Sequence, residues 1–438
     1  MPIWNPHFEG MAKDELRQLQ LERLQATLNR VYRSVAFYRK LFNQVGLIPE
    51  EINSLEELSR IPFTSKETLH QSYPYEMFAV PLREVVRLQC TSGTTGGPIV
   101  VGYTRNDLVH WTEVSARVLC AGGVTKDDVV QICFDYSLFG GGLGFHYGAE
   151  LIGASVIPGS NLDSAREVLI ARDYRTTALV ATPGFGVRFA AAIRKKGLSP
   201  ADIYLKRGLF TGEPFSDATR REIEEELNIK ATDNYGLSEI AWPGVAAECE
   251  KKKGLHIFED ELIPEIIDPQ TKKPLPLGKK GELVLTTITK EAFPLIRYRT
   301  GDITRFDSSP CECGRSLIRM EKVAGRTDEM VTIDGVSFFP SQIEHIFSQI
   351  RGVEARSCLV IDRRGDEDIL KVLVEVSEEV FFDEMKKLQD LKSRVEREIY
   401  RDLGISAKVT LAEPESFARK TEGKRVIDKR ERAAGGEP

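Results

Sequence analysis

The chain has 438 residues, which at about 100–200 residues per domain predicts two or three domains and excludes a single small module. Lysine and arginine together number 60 and aspartate and glutamate 66, so the net charge is −6 and no basic face for obligate nucleic-acid binding is indicated. The amino terminus lacks an apolar signal region, and the most apolar stretch, residues 138–159, contains His146 and Glu150. We therefore expect a cytoplasmic protein without a membrane span. The seven cysteines fit free thiols or metal ligands better than disulfides in such a reducing compartment.

An amphipathic helix is predicted near the start, because Leu21, Leu24, Leu28 and Val31 recur at spacings of three and four. Its apolar face suits packing on its own domain and packing on a second copy, as a homodimer, equally well. Short apolar runs bounded by Gly, Pro or Asp then predict buried strands at residues 128–134, 154–158, 177–182, 207–211 and 282–287. The helical stretches between them indicate a largely parallel α/β domain.

The pattern changes after Gly325 to that of a small α+β domain. Strands are predicted at residues 330–334, 355–362, 369–376 and 407–411, and helices at residues 341–350 and 382–399. This βαββαβ order follows a short polar linker, GRTDE, which suits a hinge and an ordinary interdomain loop alike. We predict domains at residues 1–325 and 326–438.

The most informative motif is TSGTTGGP, at residues 91–98. Its glycines let backbone N–H groups approach an anion closely, and its hydroxyl groups can wrap a polyphosphate. It is not a Walker loop, because Gly97 and Pro98 stand where a GK[ST] ending would be, and a strand is predicted to follow. Composition alone favours a solvated hairpin.

Two later runs add nucleotide chemistry. In YGLSE, Glu239 follows a predicted strand and can hold Mg²⁺ against phosphates, while the ring of Tyr235 can cover a flat base. In YRTGD, the carboxylate of Asp302 can accept hydrogen bonds from both hydroxyls of a ribose. Each run taken alone also describes a tight turn with a capping acid.

Together with the linker GRTDEM and the tail EGKRVID, these runs resemble the adenylate-forming superfamily of acyl-CoA synthetases. Within it, the chain resembles the phenylacetate–CoA ligase family over nearly its whole length, in segments such as IPFTSKETL, YPYEMFAVP, VGYTRNDL, YGLSEIAWPGVAAEC and IRYRTGDITR. The resemblance implies a large multi-layer α/β AMP-binding domain and a small mobile α+β lid domain. It also implies an enzyme that adenylates an aromatic, phenylacetate-like acid with ATP and Mg²⁺, then transfers the acyl group to CoA and releases AMP and pyrophosphate.

The resemblance implies a role for each matching residue. The phosphates of ATP would be cradled by Thr91, Ser92, Gly93, Thr94, Thr95 and Gly96. The rest of the nucleotide would be bound by Gly212, Glu213, Pro214, Asp233, Asn234, Tyr235, Gly236, Asp302 and Arg326. Glu239 would hold Mg²⁺, Asp328 would be the hinge, and Lys424 would be the catalytic lysine of adenylation.

The sequence departs from the family in two places. Lys424 stands two residues closer to the following Arg-Val-Ile-Asp than the family pattern has it, and Gly97 replaces a lysine that many relatives carry. The charged tail from Pro414 onward also fits a disordered segment of solvated lysines.

The acid pocket implied by the resemblance consists of Tyr136, Phe139, His146, Trp242 and Pro243. Their rings offer flat apolar surface, although aromatic residues in such runs are more often core. Trp242 stands where a glycine is common in the family, which leaves phenylacetate itself open as the acid. His146 would orient the substrate carboxylate or be a satisfied buried histidine.

Four further residues, Cys249, His256, Cys311 and Cys313, lie on two loops and have the donor types of a tetrahedral structural Zn²⁺ site. Free thiols are the alternative. Two other functions also stay open: an adenylyltransferase or acyl-AMP ligase with a non-CoA acceptor, and a nucleotide-binding sensor that has lost catalysis.

Overall fold

A computed structural model describes residues 2–91, 98–138, 141–159, 163–327, 331–333, 336–338, 340–350, 353–364, 367–376, 385–413 and 426–428. The chain divides into two compact units, the first of residues 1–300 and 304–322 and the second of residues 301–303 and 323–438. The second unit thus begins before the predicted boundary at Gly325. It also includes residues 301–303, a short strand segment that no local sequence pattern assigns to this unit.

The helices of the first unit are separated by strands and short 3₁₀ turns. They are α1 (Pro6–Glu9), α2 (Lys13–Ser34), α3 (Ala36–Gln44), α4 (Lys66–Gln71), α5 (Arg105–Ala121), α6 (Gly142–Ile152), α7 (Ser164–Asp173), α8 (Pro183–Lys195) and α9 (Asp217–Leu227). The 3₁₀ turns are Pro49–Glu51, Glu56–Arg60, Leu82–Glu84 and Pro200–Asp202. Within the described ranges, none of the helices combines the length and apolar character that a bilayer span requires.

The strands of the first unit form a hairpin and two larger sheets. The hairpin pairs β1 (Arg87–Cys90) with β2 (Val100–Tyr103). The largest sheet contains β3 (Val129–Ile132), β4 (Ser155–Pro158), β5 (Ala178–Ala181), β6 (Arg207–Phe210), β7 (Lys230–Tyr235), β8 (Ala246–Glu248), β9 (Leu255–Ile257), β13 (Phe306–Asp307) and β14 (Arg319–Met320). The other sheet contains β10 (Leu262–Ile267), β11 (Gly281–Thr287) and β12 (Tyr298–Thr304), and its fourth strand, β15 (Gly325–Arg326), belongs to the second unit, as do residues 301–303 of β12.

The largest sheet runs in the order β13-β14-β9-β8-β7-β6-β5-β3-β4. From β4 to β7 each neighbouring pair is parallel, whereas β7, β8, β9, β14 and β13 pair antiparallel. The predicted α/β fold is confirmed. Four of the five strands predicted from short apolar runs lie in the parallel half, as β3 to β6, and the fifth, at residues 282–287, is β11 of the other sheet, where it pairs antiparallel with β10.

Helices cover both faces of the parallel strands because alternate residues of a strand point to opposite sides. Val180 belongs to one buried cluster, together with side chains of α5 and α6 such as Val118 and Phe145. Its neighbour Leu179 belongs to another cluster, formed with Phe189 of α8 and residues of α7 and α9. The result is a three-layer arrangement of helix, sheet and helix, typical of strands buried on both faces.

Helix α2 is the predicted amino-terminal amphipathic helix, and its apolar face packs within its own unit. Leu24 and Leu28 are fully buried. The Gln20 amide donates to the carbonyl oxygen of Glu259 at 2.9 Å, and the Thr27 hydroxyl donates to that of Ile288 at 3.2 Å. The apolar face is therefore covered by the helix's own chain, which decides between the two packing alternatives for this helix.

The second unit contains α10 (Pro340–Ser348) and α11 (Met385–Leu403), with strands β15 (Gly325–Arg326), β16 (Val331–Ile333), β17 (Val336–Phe338), β18 (Val353–Arg364), β19 (Glu367–Val376), β20 (Ala407–Ala412) and β21 (Val426–Asp428). Its sheet has the order β20-β19-β18-β21. Phe347 of α10 and Ile399 of α11 are buried against strand residues such as Leu359 and Val372.

The predicted βαββαβ order of this unit is wrong in one respect. Strand β16, predicted as the first strand of that order, forms a separate hairpin with β17 rather than joining the sheet. Val331 and Phe338 of the hairpin still enter the same core. A three-residue strand is long enough to bury an apolar side chain but too short for its sequence to specify its partner.

Candidate active site

Two segments predicted to bind the nucleotide meet at one edge of the largest sheet. Strands β6 and β7 are parallel, with Phe210 opposite Asp233, so the residues that follow each strand leave at the same edge. The Thr211 hydroxyl donates to the carbonyl oxygen of Asn234 at 2.5 Å, which joins the two strand ends. Among the described residues, no donor reaches the buried Oδ1 of Asn234. This edge therefore presents an unpaired acceptor where open α/β sheets bind ligands.

The turn after β6 contains Gly212, Glu213 and Pro214. Gly212 has a φ of +85°, a conformation that residues with a Cβ rarely adopt. The Glu213 carboxylate accepts a hydrogen bond from the main-chain N–H of Gly184 at 2.9 Å and so lies at the amino end of α8. The predicted turn is present, and its acid supports a helix terminus.

Asp233 belongs to β7 and lies beside the buried ion pair of Arg220 and Glu248. Its main-chain N–H donates to Oε2 of Glu248 at 3.0 Å, and Oε1 of Glu248 accepts from Arg220 at 3.1 Å. Burial, and secondarily the Glu248 charge, raises the pKa of Asp233 from 3.8 to about 7. A carboxyl group with a pKa of about 7 is protonated in part at neutral pH, and its protonated form can donate a hydrogen bond, which a ring nitrogen of a base accepts.

Glu239, the predicted magnesium ligand, is buried in the segment that follows β7 and Gly236. Its carboxylate accepts from the Tyr298 hydroxyl at 3.5 Å. A Cβ added at Gly236 would lie 2.9 Å from the carbonyl oxygen of Ala241, so this segment turns back tightly on itself. A carboxylate oxygen so placed is the donor type that Mg²⁺ prefers.

Lys290 is a residue of this site that the sequence reasoning missed. Its ammonium nitrogen donates to the carbonyl oxygens of Glu239 at 3.1 Å and Ile240 at 2.7 Å, and it lies 4.9 Å from the centroid of the Tyr103 ring. Burial lowers the pKa of Lys290 from 10.5 to about 8. The lysine therefore holds the main chain that positions the Glu239 carboxylate. Its only signal in the sequence is one cation in the mostly apolar run TTITKEAFPLI.

The ends of the predicted phosphate loop are joined to each other. The main-chain N–H of Thr91 donates to the carbonyl oxygen of Ile99 at 3.0 Å, and that of Ile99 donates to the Thr91 hydroxyl at 3.1 Å. Other predicted site residues lie outside the described residues, namely Ser92, Gly93, Thr94, Thr95, Gly96, Phe139, Asp328 and Lys424.

The four described residues of the predicted acid pocket, Tyr136, His146, Trp242 and Pro243, come together at α6. The Tyr136 hydroxyl lies 3.3 Å from Nδ1 of His146, whose Nε2 lies 3.1 Å from the Glu150 carboxylate. A Cβ added at Gly144 would lie 2.7 Å from the ring of Pro243. His146 is thus partnered on both nitrogens by side chains of this cluster.

Asp302 and Arg326 both belong to the second unit, where β12 pairs with β15. Nη1 of Arg326 donates to Oδ1 of Asp302 at 2.8 Å. The neighbouring Gly301 has a φ of +78°. The arginine therefore orients the carboxylate predicted to bind the ribose.

Antiparallel pairing brings together the four predicted zinc ligands. Cys249 follows β8, His256 lies in β9, and β14, which follows the loop of Cys311 and Cys313, pairs with β9. The four donor atoms lie within 4.8 Å of one another, and all four residues are buried. The sulfurs of Cys249 and Cys311 are 3.8 Å apart, close to the edge of about 3.8 Å that a tetrahedron with Zn–S bonds of about 2.3 Å requires.

The protonation of the cluster also suits a cation. The hydrogen bond from Cys249, and then the neighbouring His256, lowers the pKa of the Cys313 thiol, while the same bond raises the pKa of Cys249. Nε2 of His256 lies 3.4 Å from the Cys313 sulfur. A thiolate among three further nitrogen and sulfur donors is the ligand chemistry of structural zinc.

This chain is similar to known proteins over nearly its whole length. The family of AMP-binding enzymes matches residues 18–289, and the AMP-binding enzyme C-terminal domain matches residues 335–430. Phenylacetate-coenzyme A ligase of Thermus thermophilus is 42% identical over 98% of this chain and 100% of its own length, and that of Pseudomonas putida is 43% identical over 96% of each. The crystal structure of 2-hydroxyisobutyryl-CoA ligase in the postadenylation state, in complex with 2-HIB-AMP, is 30% identical. It matches with a TM-score of 0.87 over 99% of this chain and 94% of that chain.

Proposed function

Because this chain belongs to the phenylacetate–CoA ligase family of AMP-binding enzymes, we propose that its acid substrate is an aromatic, phenylacetate-like carboxylic acid. The family and the fold, both predicted from the sequence, are confirmed. The protein is an AMP-forming acid–thiol ligase, which activates a carboxylic acid with ATP and transfers the acyl group to CoA. The same relatives disfavour a non-CoA acceptor and a sensor without catalysis.

The meeting of the β6 and β7 ends is the observation that supports our proposed position for the nucleotide. Gly212 allows the main chain to approach a ligand closely, while Asn234 offers a buried acceptor and Asp233 a carboxyl group with a pKa of about 7, which is protonated in part at neutral pH. We assign the adenine to this edge. Tyr235 at the end of β7 supplies a ring for its face.

We assign the reacting groups from the charge that adenylation creates. A carboxylate attacks the α-phosphate of ATP, so two anions meet and negative charge builds on the phosphoryl oxygens. We assign to Lys424 the role of the cation that stabilises this charge. We assign to the loop from Thr91 to Gly96 the contacts with the phosphates. Glu239 would hold Mg²⁺, which would neutralise the departing pyrophosphate. We propose that the carboxylate of Asp302, which Arg326 orients, accepts hydrogen bonds from the ribose hydroxyls.

The lysine's place in the second unit suits a reaction in two halves. Once the acyl-adenylate exists, Lys424 has no further role, and the CoA thiol needs access to the acyl carbon. We propose that the second unit turns about Asp328 between the half-reactions, so that the lysine leaves.

The proposed function is tested by acid-dependent pyrophosphate release, measured with and without CoA over a panel of aryl and alkyl acids. We expect release with aryl acids and formation of the acyl-CoA when CoA is present. Lys424→Ala should lose most pyrophosphate release yet still convert a supplied acyl-adenylate to the thioester. Lys420→Ala, in the same tail, is the matched control and should behave as wild type. An unchanged first half-reaction in Lys424→Ala would reject the assignment of the lysine.

We also propose that Cys249, His256, Cys311 and Cys313 hold a structural Zn²⁺ ion. Their donor types, burial and separations support it. Protein purified without chelator should contain about one equivalent of zinc, and less than about half an equivalent would count against the site. Cys311→Ser should lose the metal and lower the unfolding temperature. Cys358→Ser removes a buried thiol outside the cluster and should keep the metal.

A location in the cytoplasm is proposed as well. All seven cysteines are buried and none forms a disulfide. Free cysteines of this kind are typical of proteins in reducing compartments.

A further inference from the structure

The indole ring of Trp242 carries a hydrogen-bond donor that no described residue accepts. Its Nε1 atom is shielded from solvent and has no partner among the described residues, which do not include Phe139 and Gly140. The neighbouring Trp111 differs, because its Nε1 donates to the carbonyl oxygen of Trp242. A buried donor without an acceptor costs free energy, so a bound molecule that supplies one gains affinity.

Glycines at the start of α6 make room for the ring and its neighbours. A Cβ added at Gly141 would lie 2.2 Å from Nε1 of Trp242, and one at Gly142 would lie 2.8 Å from the ring of Tyr136. Both distances are too short for any side chain. The main chain at the amino end of α6 therefore forms one wall against two of the predicted acid-pocket residues.

The orientation of the indole places its N–H group away from the proposed nucleotide. The opposite edge of the ring, at Cη2, would lie 3.3 Å from a Cβ added at Gly212, in the turn after β6. The ring therefore reaches from the turn assigned to the nucleotide to Gly141, with Nε1 at the Gly141 end. The inference takes the carboxylate of the acid, which must meet the α-phosphate, to lie toward the Gly212 end of the ring and the rest of the acyl group to extend toward Nε1.

The other polar tip in this cluster is already paired. The Tyr136 hydroxyl lies 3.3 Å from Nδ1 of His146, which is itself held by Glu150. The Trp242 N–H group, by contrast, has no partner in the described part of the chain, so we take it to be available to the substrate. A site built to hydrogen-bond a substrate group rejects analogues that lack the group more strongly than an apolar pocket rejects a change of size.

We propose that Trp242 selects acids that carry an oxygen acceptor, such as a ring hydroxyl, on the part of the acyl group remote from the carboxylate. The inference rests on the proposed function, since it takes the acid to bind between the turn after β6 and the amino end of α6. Trp242 is then a specificity-determining residue of the ligase reaction.

The test compares hydroxyphenylacetates with methylphenylacetates substituted at the same ring positions. A methyl group and a hydroxyl group are similar in size, so the ratio of their kcat/KM values isolates the hydrogen bond. With wild-type protein we expect at least one hydroxy isomer to be preferred by about tenfold. Methyl isosteres used as well as the hydroxy acids at every position would overturn the proposal. No pyrophosphate release with any acid would instead refute the proposed function, and this inference with it.

Substitution of Trp242 then assigns the preference to the indole. Trp242→Phe keeps an aromatic ring without the donor and should bring the ratio close to one, while Trp242→His, which keeps a ring N–H, should restore part of it. Trp4→Phe, in the amino-terminal segment, is the matched control and should keep the wild-type ratio. A ratio unchanged in Trp242→Phe, or an equal loss for hydroxy and methyl acids alike, would overturn the proposal. The comparison with wild-type protein stands even where Trp242→Phe does not fold.

Discussion

Replacing Lys290 with methionine should change how the stability of the protein depends on pH. The lysine is buried, and its ammonium nitrogen bonds to two carbonyl oxygens beside the Tyr103 ring. Its pKa is lowered from 10.5 to about 8 because the charged form is poorly solvated there. Between these two values the unfolded chain binds a proton that the folded protein does not.

The sign and the size of the effect follow from that difference. Because the unfolded state binds more protons between pH 8 and 10.5, the free energy of unfolding contributed by Lys290 rises with pH across this window. At about 1.4 kcal/mol per pH unit, the rise amounts to about 3 kcal/mol. Methionine does not titrate, so Lys290→Met should lack this rise.

The assay is chemical denaturation, followed by tryptophan fluorescence at several pH values from 7.5 to 10.5. Other groups titrate in both proteins, and their contributions cancel in the difference between wild type and variant. Lys195→Met removes an exposed lysine and should follow the wild-type curve. Parallel curves for wild type and Lys290→Met would refute a buried, weakly protonated lysine.

Three further predictions concern buried charge and packing, each measured by denaturant unfolding. Asp233→Asn should make the free energy of unfolding less dependent on pH. Because the pKa of Asp233 is raised to about 7, wild type should lose up to about 4 kcal/mol of stability as the pH rises from 4 to 7, and the variant should lack this loss. Equal slopes of stability against pH in wild type and variant would contradict it. Arg117→Met should cost about 3–5 kcal/mol at pH 8, since it removes the cation 2.8 Å from the fully buried Asp260 and leaves it with Arg23 at 4.0 Å; the loss should shrink as the pH falls, because burial raises the pKa of Asp260, and a loss independent of pH would argue against it. Leu28→Ala, on the covered face of α2, should cost about 2–5 kcal/mol, and a loss below about 1 kcal/mol would show that the helix does not pack as described.

The parallel strands of the largest sheet were predictable because their signal is local. Strands β3 to β6 are short apolar runs, such as β5 with four buried residues, bounded by Gly, Pro or Asp, whereas β7, with the sequence KATDNY, is not such a run. The antiparallel half was not assigned from the sequence, because β13 and β14 have two residues each and carry no period. The β16–β17 hairpin was missed as a pair for the same reason.

The candidate site was predictable where a motif carries its own chemistry. The residues after β6 and β7 were named from the family resemblance, and their meeting follows from parallel pairing. Lys290 was not found, because a single lysine has no motif and its role depends on carbonyl oxygens about 50 residues earlier in the chain. The unpaired donor of Trp242 was equally invisible, since a sequence shows which residue is present but not which of its atoms lacks a partner.

The sequence by itself determined the fold class, the family and the residues that carry its motifs, because apolar period, turn residues and motif spacing are properties of neighbouring positions. Only the tertiary structure decided that Cys249 and His256 meet Cys311 and Cys313, that α2 is covered by its own chain, and that Lys290 supports Glu239. These facts depend on pairing and burial between distant segments. Such contacts are fixed by the packing of the whole unit, for which the sequence offers no local signal.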